Sequence, residues 1–187
     1  MATPASSPDI GFYHRLTADF STDGFRPGRG LNVGTTSVVA AARHVDGEYA
    51  FNLQRNAFID VRSDPFTTRL LEKLGIEHIV EEGKGYVIGD PAFELANIFE
   101  KETRRPVKEG VFSAEEPKTL AMAARIIEKV LGRPHMKGEI CIVAIPADPI
   151  DGESSVIYHR GALQEIVRRM GYVPKTIGEG EAVMLAE

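Results

Sequence analysis

The sequence predicts an α/β fold in which three antiparallel strands are extended by parallel ones, and three observations carry that prediction. From residue 29 onward the apolar runs GLNVG, TTSVVAAARHV and EYAFNLQRNAFIDV are separated only by Gly34 and by the turn pair Asp46-Gly47. That is the pattern of strand, tight turn, strand, turn, strand. In the last third, EICIVAIPA, a helical stretch from about Ser155 to Met170 and the short run YVPKTIG make a strand, crossover helix, strand unit, which sets two parallel strands side by side. Between them, residues near 117–131 place Leu120, Ala124, Ile127 and Leu131 on one helical stripe that stops at Gly132-Arg133-Pro134.

The remaining elements follow in order. Residues 1–28 are rich in Ser, Thr, Pro, Gly and Asp without sustained periodicity and read as a flexible tail, so the folded domain is expected over 29–187. FTTRLLEKLG has helical spacing and stops at Gly75. HIVEEGKGYVIGDP holds two short apolar segments about Glu82-Gly83-Lys84-Gly85, the signature of a hairpin, and PAFELANIFEK continues as a helix. KETRRPVKEGVFS is polar and carries Pro106 and Gly110, which argues for an irregular or edge segment. Ser113 to Glu116 has the capping-box pattern ahead of the long helix. EICIVAIPA is apolar almost throughout, as a strand buried on both faces would be. The chain ends inside EGEAVMLAE, which opens like a helix.

Composition removes several classes of function. Twenty-two Lys and Arg stand against 27 Asp and Glu, a formal net charge of −5, and the one cationic cluster, Arg104 to Lys108, is short. A nucleic-acid partner would demand a basic patch or face, so none is expected. No apolar run is long enough to span a membrane, and MATPASSPDIG lacks the regions of a signal peptide. A soluble, cytoplasmic protein is the expectation. The single cysteine, Cys141, lies in an apolar run and reads as core filler, and the five histidines show no ligand spacing, so no metal cage is expected.

Chemistry points first to Asn32-Val-Gly-Thr-Thr36. A glycine turn with positive φ can aim backbone N–H groups at a phosphate, and two hydroxyls lie beside it. The hairpin GLNVGTTSVVAA resembles the phosphate-1 hairpin of the actin, heat-shock chaperone and sugar kinase superfamily. GYVIGDPAFELA, Arg105-Pro-Val-Lys-Glu-Gly-Val-Phe, ICIVAIPA, HRGALQEIVRRMGY and Gly178-Glu-Gly-Glu-Ala-Val-Met-Leu-Ala resemble, in order, segments of bacterial actins of the MreB and plasmid-segregation type.

The resemblance implies a ribonuclease H-like actin domain I with a small inserted subdomain at about 60–110. It implies a second actin-like half beyond residue 187, and ATP with magnesium held in the cleft by Asn32, Gly34, Thr35 and Thr36. It further implies a self-associating cytoskeletal or scaffold protein, with an ATP-hydrolysing enzyme or a protein-binding module without nucleotide as the alternatives. Two positions depart from the family pattern. Asn32 stands where that family has a magnesium-holding aspartate, and His159-Arg160 stands where it has a Glu-Arg pair whose glutamate positions the attacking water. His159 is thus the candidate general base, although Val156, His159, Leu163, Ile166 and Met170 share one face, which favours a core or interface histidine. Asp148, Asp151 and Glu153 form an acidic turn, and Ser154 and Ser155 read as helix caps.

Overall fold

A computed structural model describes residues 28–44, 46–112, 117–147 and 156–186. The expected tail up to Pro27, the capping box at Ser113 to Glu116 and the acidic turn with Ser154 and Ser155 lie outside the described residues.

Tight turns and alternation generate the first strands, β1 (Gly28–Val33), β2 (Ser37–Arg43) and β3 (Tyr49–Arg55). EYAFNLQRNAFIDV, expected as a single strand, is two. The break falls at Asn56-Ala57, where the Asn56 N–H turns back to the Thr36 carbonyl at 2.9 Å, and β4 (Phe58–Val61) then leaves for another sheet. Asp64 caps α1 (Pro65–Lys73), accepting from the Phe66 and Thr67 N–H groups. A hairpin of β5 (His78–Glu81) and β6 (Lys84–Ile88) closes through Glu82 and Gly83, both at positive φ, as a twisted two-residue turn requires. Gly89 precedes α2 (Asp90–Leu95) at a φ of 76°, and a side chain there would collide with the Gln54 amide. The helix expected across PAFELANIFEK ends at Leu95 and gives way to turns.

The polar stretch that follows forms a second small hairpin, β7 (Val107–Lys108) and β8 (Val111–Phe112), closed by Glu109 and Gly110 at positive φ. Then come α3 (Pro117–Leu131), β9 (Ile140–Ile145), α4 (Val156–Arg169), β10 (Val173–Gly178) and α5 (Glu179–Ala186).

Five strands make the main sheet, in the order β10-β9-β1-β2-β3. β1, β2 and β3 are antiparallel neighbours with Leu31 opposite Ala40 and Ala40 opposite Asn52, while β9 and β10 run parallel to β1. A second sheet, β4-β6-β5, packs with α1 and α2 around Ile59, Val61, Leu71, Val87 and Leu95. α3 and α4 share the main core with Leu31, Val33, Val38, Ala40, Cys141, Val143 and Ile145, so both lie on one face of the five-stranded sheet. On α3 the buried residues include Met122, Ile126 and Val130 together with the expected Ile127 and Leu131, whereas the expected Leu120 and Ala124 sit on the flank toward α4.

The opposite face of that sheet carries no helix among the described residues. β9, expected to be buried on both faces, therefore alternates: Cys141, Val143 and Ile145 are buried, whereas Ile140 and Ile142 are 37% and 44% exposed. Tyr49, Phe51 and Leu53 of β3 are exposed on the same side.

The amino ends of β1 and β9 meet at a buried ion pair. Arg29 Nε donates to Glu139 Oε1 at 3.1 Å, and both side chains are almost wholly enclosed. The guanidinium also donates to the Leu131 carbonyl at 2.6 Å, at the last turn of α3, and contacts His135 Nε2 at 2.7 Å. The second oxygen of Glu139 accepts from the His135 N–H at 2.6 Å. Tyr172 donates to the Gly132 carbonyl at 3.2 Å from beneath. Removing either charge leaves the other buried without its counter-charge, which costs about 3–5 kcal/mol. Glu139→Gln, which keeps the shape, is expected to lower unfolding stability by that order in urea titration. The paired replacement of Arg29 and Glu139 by Met and Leu should lose less than either single charge removal.

Candidate functional site

The hairpin between β1 and β2 lies at the carboxyl end of β1, beside the carboxyl ends of the parallel strands β9 and β10. In α/β sheets this end is where crevices for ligands open. The local sequence closes the turn in two residues: the Gly34 N–H donates to the Ser37 carbonyl at 3.0 Å, leaving Thr35 and Thr36 at the tip. The positive φ expected at Gly34 does not occur; the glycines in that conformation among the described residues lie elsewhere. The Gly34 N–H is therefore spent on the hairpin, and the groups offered at the tip are side chains.

Three contacts hold that tip. Asn56 Nδ2 donates to the Gly34 carbonyl at 2.7 Å and its N–H to the Thr36 carbonyl, so one fully buried amide clamps both sides of the turn. From the other side the Gly110 N–H, at the tip of the β7-β8 hairpin, donates to Thr35 Oγ1 at 3.2 Å. A hydroxyl that accepts this bond still has its own proton to donate outward. Asn32 and Thr36 are exposed and Thr35 is half-buried. Asn32, Gly34, Thr35 and Thr36 are thus brought together. Sequence reasoning missed Asn56, whose only signal is the polar pair Arg55-Asn56 interrupting an apolar run. Its Oδ1 is buried without a hydrogen-bond partner.

His159 is placed elsewhere. It is fully buried in the first turn of α4, its ring 4.7 Å from that of Phe112, and Nδ1 accepts from the Phe112 N–H at 3.2 Å. That bond assigns the proton to Nε2, which is enclosed without a partner. Burial pushes the pKa down to about 4, so the ring is neutral at pH 7 and braces β8 against α4. Cys141 is likewise enclosed, and burial pushes its thiol up to about 12. Among the described residues no three His, Cys, Asp or Glu side chains come together as a metal site. Arg104 of the cationic stretch stacks on Phe58, 4.8 Å from the ring centre.

The hairpin suits a phosphate better than a metal. Its amide and hydroxyls can donate to anionic oxygens, but Asn32 offers magnesium only a neutral oxygen where hard anionic ligands are preferred.

Because the unfolded state binds a proton near pH 6.5 that the folded state refuses until about pH 4, stability is full above 6.5 and falls as pH drops through that window. The loss amounts to about 3 kcal/mol. His159→Asn, which keeps an acceptor for Phe112, should flatten the dependence between pH 6.5 and 4 in thermal unfolding.

A family model, Volactin, matches residues 28–187. No curated protein matches the chain. The Volactin match corrects the reading from resemblance, since it is not a model of the actin, heat-shock chaperone or sugar kinase ATPases. The bacterial actin-like cytoskeletal function drawn from those families, together with the ATPase of the same superfamily, is overturned with it. The physical reason lies in the motifs. A Gly-Thr-Thr turn, an apolar strand ending in proline and a Gly-Asp helix start answer local geometric demands that recur across α/β folds. The match covers every described residue, and the chain belongs to the Volactin family.

Proposed function

We propose that the chain binds a phosphate-bearing ligand, with ATP and its magnesium as the natural first candidate, through Asn32, Thr35 and Thr36. The observation that supports this reading is the doubly clamped hairpin at the carboxyl end of the parallel strands, where Asn56 and Gly110 fix the turn before any ligand arrives. Preorganised donors lose little entropy on binding. Magnesium would come with the nucleotide, since Asn32 holds a metal weakly. Self-association belongs to the same proposal and is supported by the bare apolar face of the main sheet. A cytoplasmic setting, where nucleotides are abundant, is also part of it. Among the described residues no helix is long and apolar enough to cross a membrane.

With so few side-chain donors the affinity should be low, a dissociation constant of about 1 mM, or roughly −4 kcal/mol. Titration calorimetry with ATP checks it. Thr36→Val should weaken binding about fivefold, the worth of one hydrogen bond of about 1 kcal/mol. Asn32→Asp should weaken it without magnesium, by charge repulsion, and strengthen it with magnesium. Heat that does not saturate, or affinities indifferent to all these changes, would refute the reading.

A further inference from the structure

α3 and α4 cover one face of the main sheet without closing on each other. Along their outer seam the facing residues are small, Ala121 and Ala124 on α3 and Ala162 on α4, and together with Leu120, Ile166 and Met170 they line a groove of about 660 Å³. All six are half-buried, so the groove is an apolar surface that the fold itself does not cover. Its volume is that of an ordinary binding pocket, about 300–1,000 Å³. Three arginines and two glutamates rim it. Glu128 accepts from Arg125 at 3.1 Å, and Glu165 accepts from Arg169 at 2.8 Å and from Arg168 at 2.7 Å. The third rim arginine, Arg133, is exposed and has no carboxylate partner among the described residues.

The Arg133 end of the groove is also where the chain enters the fold. Arg29 Nη1 donates to the Leu131 carbonyl, and a side chain added at Gly132 would come within 3.7 Å of the same nitrogen. Gly28 thus lies one residue from a group that touches the turn carrying Arg133. Residues 1–27 precede it, and their composition asks for a surface. They hold three of the nine phenylalanines, Phe12, Phe20 and Phe25, with Tyr13 and Leu16 between. A segment that stays solvated is poor in aromatics. Their acids are Asp9, Asp19 and Asp23, against Arg15, Arg26 and His14. At about 3.3 Å per residue the stretch from Phe20 to Gly28 spans up to about 26 Å, while the groove from Arg133 to Leu120 is about 20 Å long.

We infer that the chain's own leading segment docks in this groove, with Asp23 beside Arg133 and with Phe20 and Leu16 farther along, among Ala124, Ala121 and Ala162. The order of these residues away from Gly28 is the order of their partners away from Arg133. The alanines leave the room that aromatic rings need, and burying those rings removes apolar surface from water on both sides. The unpaired arginine sets which acid lies at the entrance.

The chain has no tryptophan, so Phe20→Trp in the full chain gives a single reporter. Its emission should be blue-shifted, and quenching by acrylamide should be at least threefold weaker than for the same chain unfolded in urea. Ala124→Arg, which fills the groove, should raise quenching to the unfolded level while circular dichroism shows the fold retained. Ala162→Arg makes the same test from α4 and serves if Ala124→Arg does not fold. Arg133→Glu should raise quenching about twofold, and adding Asp23→Lys should reverse that rise. Ala41→Arg, on the bare face of the main sheet, should change nothing. A reporter quenched as in urea overturns the inference, as does protection that survives both groove substitutions or is lost with Ala41→Arg. Protection that fades on dilution assigns the groove to a second copy's segment and overturns docking within one chain. A charge exchange that fails to restore protection overturns the pairing of Asp23 with Arg133.

Discussion

The Arg29–Glu139 pair is the constraint from which the rest of the main sheet is laid out. It joins the start of β1 to the residue just before β9, side chains 110 residues apart in sequence. The same guanidinium grips the last carbonyl of α3, so the helix that covers the sheet is positioned by the charge that aligns it. Once β1 and β9 start level, their carboxyl ends finish level. The hairpin tip then stands beside the end of β9, and a side chain added at Gly110, which bonds that tip, would come within 4.0 Å of Pro146 just past β9. A buried pair of this kind need not add much net stability. It contributes register, because a slip of either strand would strand both charges in the core.

Two kinds of polar burial coexist in the fold and do different things. Around Arg29 every partner is present, and the network acts as a rivet. Around the hairpin the satisfaction is partial: Asn56 spends its amide N–H on the turn and leaves its carbonyl oxygen enclosed without a donor. An unsatisfied buried acceptor costs about 1–3 kcal/mol. The molecule tolerates that cost directly behind the proposed binding turn, where holding Thr35 and Thr36 in place is the compensating gain. His159 shows the opposite case, an ionisable ring kept neutral by its surroundings and used for packing.

Much of the element order was legible in residues 29–187 because local signals agreed with one another. Gly75 and Gly132 mark where helices stop, and the Glu82-Gly83 turn supplies the positive φ that a tight hairpin needs. Two errors have physical causes. The run through Asn56 reads as one strand because apolar content continues across it, yet a single side chain bonding backward to the first hairpin breaks it. The apolar continuity of β9 reads as burial on both sides, but burial depends on what lies above the strand, and nothing in EICIVAIPA encodes that. The site was legible only as the four residues of a turn. Its clamps come from 22 and 75 residues away, contacts that no local pattern announces. The family reading failed for a related reason: short motifs report local geometry and do not carry ancestry by themselves.

Cys141 has a practical meaning for anyone handling this molecule. Its sulfur is fully enclosed in the middle of the main core and its thiol resists ionisation until about pH 12. Reaction with an alkylating or fluorescent reagent requires the thiolate and access to it. The native chain is thus chemically blank toward such reagents under ordinary conditions. A cysteine introduced at an exposed position would be the one site that takes a label, and any slow labelling of the wild type would be a clock for the opening of its core.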